Sequence, residues 1–458
     1  MLTSDLPMLV PELMDVVRLF EGAEALDISH SVGYAGGCFV NAVRIGGDLT
    51  LQKDRAAWQD ELHFKSLVKR YAKLALYRAL SAATGVTLPW GALTGIRPTR
   101  LAYQELEAGR AFEPLFREMC VGEDNIALTG QVIAGQKDVY TRREGCCDLF
   151  VSLPFCPTKC EYCSFITAPI GATRKYLPAY LAALEEELAA SAPLIGSLRS
   201  VYIGGGTPFV LEAEELARVL AAVAPLRTNG CEYTVEAGRP DVFTREKLDV
   251  CKAYGVTRIC INAQSFSDET LARIGRRHTA ADVERAFALA APYGFEVNCD
   301  LIAGLTGESF EAFRESVVRA IALSPENITV HTLCLKKGAR LKEETARLRE
   351  GELSRMIAFS REALTNAGYV PYYLYRQKYM AGAHENVGWT KPGHACVYNV
   401  DVMEETCDNL ALGANAVSKK LFAGGARIER HGTPKDIPTY LAKLSKLIRE
   451  RAALFLAK

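Results

Sequence analysis

Between residues 148 and 335, strand-like and helix-like segments alternate, and that alternation leaves few folds open. Asp148–Phe155, Ser200–Gly204, Cys231–Ala237, Arg258–Ala263, Phe295–Ile302 and Ile328–Cys334 read as strands. Helical spacing falls between them, over 176–192, 212–223, 244–254, 268–275, 281–293 and 308–322. Strands separated by helices pair in parallel, because the crossover returns the chain to the same end of the sheet. The expected class is therefore α/β, a partial (β/α)6 TIM-like barrel. Chemistry in such folds sits at the C-terminal strand ends.

The flanks differ in pattern. Residues 1–145 read as an N-terminal accessory α+β domain, 146–335 as the barrel core and 336–458 as a C-terminal α+β domain. In the first, Pro11–Gly22 looks helical, and Val40–Ile45 and Asp48–Gln52 form a hairpin across Gly46-Gly47. Trp58–Thr84 carries helical apolar spacing through Leu67, Tyr71, Leu74 and Leu80. Arg97 and Arg100 could clamp a carboxylate or phosphate, or simply open a helix at Pro98. The third region predicts a charged helix near 340–367, a strand over 368–375, an irregular stretch and a helix over 437–456.

At 458 residues, 49% hydrophobic and 24% charged, the chain can bury a substantial core. Its net charge of zero argues against nucleic-acid or acidic-membrane partners. The start lacks a basic stretch and a cleavage site, and no uncharged apolar run approaches the roughly 18–20 residues of a membrane span. With 14 cysteines and no sign of secretion, a reducing cytoplasm is expected rather than a disulfide framework.

Three of those cysteines, Cys156, Cys160 and Cys163, lie four and three residues apart in CPTKCEYC, directly after the first barrel strand. Three thiolates on one loop can hold three irons of a [4Fe–4S] cluster and leave the fourth open. Structural zinc or ordinary buried thiols are the alternatives, although zinc wants a fourth ligand and no second arm follows. The next strand ends in Gly204-Gly205-Gly206-Thr207-Pro208, where backbone can approach a ligand closely. Later strands end at Glu236, Gln264 and Asp300. Each could be a helix cap or a structural ion pair; together they would face one mouth.

The cysteine loop, GGGTP, the Glu236 strand, GVTRICINAQSF and VNCDLIAGLTGES together resemble the radical S-adenosylmethionine (SAM) superfamily, in its coproporphyrinogen dehydrogenase (HemN-like) branch. WGALTGIRPTR, PYYLYRQKYMAGAHENVGWTKPGHACVYN and LALGANAVSK are similar to the HemZ-type members. The resemblance implies that Cys156, Cys160 and Cys163 bind a [4Fe–4S] cluster whose open iron takes the amino and carboxylate groups of SAM. It places Gly205, Gly206 and Thr207 along the methionine moiety, Glu236 on the ammonium and Arg276 on the carboxylate. It puts Gln264 and Asp300 on the ribose, with Ile302 among the cofactor contacts. It implies one-electron cleavage of SAM to a 5′-deoxyadenosyl radical, fed by a low-potential donor such as flavodoxin or ferredoxin.

In that branch the radical converts two propionates of coproporphyrinogen III to vinyls, giving protoporphyrinogen IX. The last region then corresponds to a HemN-type substrate or cover domain. Arg376, Lys378, Tyr372, Tyr373, Tyr375, Tyr379 and Trp389 offer cations beside aromatics for such a tetrapyrrole, and His384 and His394 could contact it or ligate haem iron; a packed, partly polar domain interface is the alternative reading of the same residues. Three positions depart from the HemN-type pattern: Phe150 stands for Tyr, Ser152 for His and Phe165 for Cys. CEYCSF also resembles the haem chaperone HemW, which leaves a haem-binding chaperone, or an enzyme acting on another tetrapyrrole, as alternatives.

Overall fold

The computed structural model describes residues 1–95, 97–142, 145–163, 168–334, 350–377, 383–425 and 427–457. By contact the chain divides into two compact units, Met1–Gly130 with Tyr375–Glu385, and Gln131–Leu374 with Asn386–Lys458.

The first unit is α+β. Its strands β1 (Leu2–Ser4), β2 (Ile28–Ala35), β3 (Cys38–Ile45) and β4 (Asp48–Arg55) pair in that order, with the β3–β4 hairpin turning at Gly46-Gly47 as expected. Helices α1 (Val10–Val17) and α2 (Glu61–Thr84) pack on it, burying Phe39, Val43, Leu13 and Leu74. Asp60 caps α2 by accepting from the His63 amide at 2.7 Å. Helices α3 (Pro98–Glu107), α4 (Glu113–Glu118) and α5 (Glu123–Gln136) follow. Arg97 occupies the N-cap position of α3 and Pro98 its first turn, the helix-start arrangement. The unit is completed from far along the chain: Trp90 Nε1 donates to Glu385 Oε2 at 2.8 Å, and Arg376 lies over the Trp90 ring.

The second unit holds the barrel. Strand β5 (Cys146–Leu153) leads into a short pair, β6 (Phe155–Cys156) and β7 (Ala168–Pro169), and then α6 (Ile170–Thr173) and α7 (Leu177–Ser191). The alternation continues as β8 (Ser197–Gly205), α8 (Ala213–Val223), β9 (Glu232–Gly238), α9 (Arg245–Ala253) and β10 (Arg258–Ile261). Then come α10 (Asp268–Arg273), α11 (Ala280–Ala290), β11 (Glu296–Ala303), α12 (Phe310–Leu323) and β12 (Asn327–Thr332). β5, β8, β9, β10, β11 and β12 are neighbours in sequence order and all parallel, as the alternation predicts.

The remainder, α13 (Glu350–Asn366), β13 (Val370–Tyr375), β14 (Asn386–Thr390), α14 (Val397–Glu404), β15 (Asp408–Leu412), β16 (Val417–Phe422), β17 (Arg427–Gly432) and α15 (Ile437–Leu456), extends both edges. β14 runs antiparallel to β12, and β15 joins β5 as a seventh parallel strand, Leu410 opposite Leu149. The sheet has eleven strands in open order, a partial rather than a closed barrel. The stretch read as irregular thus contains strands; they are short, and their partners, β12 for β14 and β5 for β15, lie far back in the sequence. The first part of the predicted 340–367 helix lies outside the described residues.

Alternation along each strand separates two chemistries. On β5, Cys147, Leu149, Val151 and Leu153 are buried apolar positions, while Asp148, Phe150 and Ser152 share the other face. On β9, Tyr233, Val235 and Ala237 alternate with Glu232, Thr234 and Glu236. The second set lines the barrel interior. At one end Glu232 accepts the amides of Val397 and Tyr398, capping α14 and closing that end with it. Arg258, between Glu232, Glu296 and Asn327, completes this charged floor. Among the described residues no helix is long and apolar enough to cross a membrane.

Candidate active site at the barrel mouth

The other end is open to chemistry. The cysteine loop leaves β5 and is tied down from several strand ends. Thr207 donates its amide to the Phe155 carbonyl at 2.7 Å, and its hydroxyl lies 3.5 Å from Cys156 Sγ. The Glu161 amide donates to the Ile274 carbonyl at 3.1 Å. Arg276 Nη2 donates to the Tyr162 hydroxyl at 2.8 Å, and the Tyr162 ring packs on Leu271, Ile274, Ile302, Leu305 and Leu333. Cys156 and Cys160 are buried and Cys163 is half-buried.

The glycine turn beside the loop leaves no room for side chains. A Cβ on Gly206 would stand 2.5 Å from the Phe155 carbonyl, and Gly205 has φ +97°. A Cβ on Gly204 would stand 2.5 Å from Glu236 Oε2 and 2.7 Å from the Tyr202 ring. The turn, the cysteine loop and Glu236 therefore meet.

Glu236 lies 3.4 Å from the Gly205 amide and 3.4 Å from Asn262 Nδ2. Arg276 Nη1 donates to the Asn262 carbonyl at 3.2 Å. Gln264 sits at φ +68°, an uncommon conformation for a side-chain-bearing residue, held by its amide on the Asp300 carbonyl (2.7 Å) and its carbonyl on the Ile302 amide (3.0 Å). Asp300 accepts from Asn298 Nδ2 at 2.8 Å and faces His331 Nε2 at 3.6 Å. Glu236, Gln264, Arg276, Asp300 and Ile302 thus stand around one mouth with the three cysteines. Asn262, Asn298, His331 and Tyr162 join them. The first two could have been found two residues before Gln264 and Asp300, Asn298 on the same face of β11 as Asp300 and Asn262 just beyond β10.

Two carboxyls at this mouth behave differently. Burial pushes Glu236 up to about 8, and the nearby Asp300 adds to the rise against the pull of Gly205, Asn262 and Arg276. Burial would raise Asp300 too, but His331, Asn298 and Thr329 hold it below its ordinary value. One carboxyl is therefore ionised near neutrality while the other keeps a proton until a cation arrives.

The departures take structural roles where they are described. Ser152 Oγ donates to the Ala414 carbonyl at 2.7 Å, and its own carbonyl accepts from Tyr180. Phe150 lies nearly parallel to Tyr202 and Tyr398, whose centroids are 4.6 Å apart. Phe165, Lys378 and Tyr379 lie outside the described residues. The grouped cations and aromatics do not form one open surface. Tyr372 and Tyr373 are buried against Asn399 and Thr329, and Trp389 is buried in β14. Arg376 donates to the Leu93 and Ala383 carbonyls of the first unit. His394 pairs with Glu296 on the barrel floor. Most of their buried polar atoms are already bonded to neighbours in the fold.

A family model described as the radical SAM superfamily matches residues 150–320. The oxygen-independent coproporphyrinogen-III oxidase-like protein HemZ of Bacillus subtilis is 35% identical over 392 residues, 81% of this chain and 78% of that protein. This chain belongs to the HemN/HemZ/HemW family of radical SAM proteins. The heme chaperone HemW of Bacillus subtilis is also similar, 30% identical over 273 residues, covering 53% of this chain and 71% of HemW. The coproporphyrinogen III oxidase HemN from Escherichia coli shares the fold, with TM-score 0.54 at 21% identity over 71% of this chain and 73% of HemN.

Membership of this family implies a [4Fe–4S] cluster and SAM as cofactors. The mouth fits them. It presents three thiols on one loop and a glycine cradle that a Cβ would fill. Two buried polar atoms in its rim, Arg276 Nε and Asn262 Oδ1, have no hydrogen-bond partner among the described residues.

Proposed function

We propose that the chain oxidatively decarboxylates propionate side chains of coproporphyrinogen III to vinyls, giving protoporphyrinogen IX without oxygen. The observation carrying this reading is the meeting of the cysteine loop, glycine turn and Glu236 at the mouth of a barrel whose HemZ relative is 35% identical. Cys156, Cys160 and Cys163 would hold the cluster. Gly205, Gly206 and Thr207 would lie along the methionine part of SAM and Glu236 would accept its ammonium. Arg276 would offer Nε to its carboxylate, Gln264 and Asp300 would bind the ribose hydroxyls, and Ile302 would pack beside them. Cluster and SAM, once bound, supply a carbon radical from one electron. Each propionate then loses one hydrogen atom to that radical, its carboxylate as CO₂ and one electron to an acceptor, and the two side-chain carbons become the vinyl. A low-potential donor such as flavodoxin or ferredoxin is the partner this chemistry requires. The closed floor and the ring group of Phe150, Tyr202 and Tyr398 confine the reaction to the mouth, so a side chain at a tetrapyrrole's periphery suits it.

A second reading, a haem-binding chaperone, is favoured by the HemW similarity together with Phe150 and Ser152 in place of the HemN-type Tyr and His. Anaerobic reconstitution followed by SAM, dithionite and coproporphyrinogen III separates the two. Porphyrinogen-dependent 5′-deoxyadenosine with a decarboxylated product supports the enzyme. Stoichiometric haem binding without turnover supports the chaperone. Cys160→Ala should lose the brown absorbance of the cluster; unchanged iron and sulfide would refute the ligand set.

A further inference from the structure

Between Cys156 and Cys160 the loop is gripped by a buried charged group that the cofactor contacts above do not use. Arg239, just beyond β9 and 2% exposed, directs its guanidinium two ways. Nε and Nη2 donate to the two oxygens of Asp241 at 2.9 and 2.7 Å, and Nη1 donates to the Thr158 hydroxyl at 2.5 Å. Asp241 also faces His278 Nδ1 at 3.8 Å.

We infer that Arg239 is a positioning residue for the iron–sulfur loop: it fixes Thr158 between the first two cysteines, and its charge, balanced by Asp241, tunes the reduction potential of the cluster. This rests on the reading of Cys156, Cys160 and Cys163 as cluster ligands. A planar guanidinium whose three nitrogens each donate to a fixed acceptor is pre-organised, and a flexible ammonium cannot reproduce the fork. Cluster potentials respond to nearby charge and hydrogen bonding, and partners of the ligand shell govern metal retention. Removing Arg239 takes a cation from beside the loop and leaves Asp241 unbalanced, so the cluster becomes harder to reduce. Removing the Asp241 charge does the reverse.

The test uses the full chain, reconstituted anaerobically, as wild type, Arg239→Gln, Arg239→Lys and Asp241→Asn. It reads the midpoint potential by EPR-monitored titration and iron loss to a chelator, with thermal unfolding as the control for folding. Arg239→Gln should shift the midpoint downward and Asp241→Asn upward. Arg239→Lys should keep the midpoint near wild type, yet release iron about tenfold faster. A merely structural role would not produce shifts of opposite sign, so shifts of one sign, or none, overturn the inference. If Arg239→Gln does not fold, Asp241→Asn and Arg239→Lys still decide it: an upward shift in the first with none in the second supports the inference, and any other pair refutes it. A wild-type chain that assembles no cluster, or a Cys160→Ala chain that assembles the wild-type amount, refutes the ligand reading instead.

Discussion

Glu236 shows how one interior position can read a ligand's charge. Its folded pKa of about 8 stands above a glutamate's ordinary 4.5, chiefly because burial disfavours the carboxylate. The protonated group therefore contributes stability to the ligand-free chain that is complete below about 4.5 and is lost as the pH rises through about 8. A bound ammonium inverts the preference and expels the proton. SAM affinity should accordingly rise as the pH is raised toward 8, where the ligand's own ammonium begins to lose its proton, and Glu236→Gln should abolish that rise. The lost charge-assisted bond should weaken binding by about 1.5–3 kcal/mol. Equilibrium dialysis of SAM against pH checks both; a wild-type affinity that falls as the pH rises toward about 8 would remove Glu236 from the ammonium. Glu236 and Asp300 were legible as polar residues near strand ends because a strand's alternation gives each a face, and Gln264 because the fourth strand leads to it, although its backbone bonds to β11 are what aim it. Tyr162, Arg239 and His331 were not, because what distinguishes them is the partner each meets from another strand end.

Helix α15 illustrates an element whose existence was plain in sequence and whose purpose was not. Its apolar spacing over 437–456 predicts a helix, and the helix forms there. Arg451 on it is fully buried and paired with Glu187 of α7, which also accepts from Tyr440 and the Gly413 amide. Breaking a buried pair leaves an uncompensated charge. Arg451→Met should therefore cost about 3–5 kcal/mol in denaturant unfolding, and adding Glu187→Leu should recover most of it. If Arg451→Met costs under about 1 kcal/mol, the pair does not anchor α15. The same contrast runs through β14, β15 and β16. Each is five or six residues long, and their defining feature is a partner strand rather than a strong local pattern.

For the whole molecule, the decisive contact is β15 on β5. The strand that delivers the cysteine loop is held between β8 on one side and β15 on the other. Asp148, at its start, is buried against Ser200 and Cys407, the latter just before β15. A chain ending at Glu404 would expose the β5 edge and leave Asp148 short of a partner. It should lose its cooperative thermal transition and bind a hydrophobic dye; a truncated chain that melts cooperatively and still takes up iron would show that β15 is dispensable.

The six parallel strands, the helices between them and the place of the cysteine loop follow from local periodicity, and right-handed crossovers between neighbouring strands leave few orders for them. The composition of the mouth follows in part, since the period of two assigns each strand-end residue a face. Where β14, α14 and β15 join the barrel does not follow. Those elements are short, and what seats them is burial and hydrogen bonding against residues far away in sequence, such as Glu232 on the amides of α14. Contacts of that kind exist only after the chain has folded, and so the barrel could be read along the chain while its floor and its flanking strands could not.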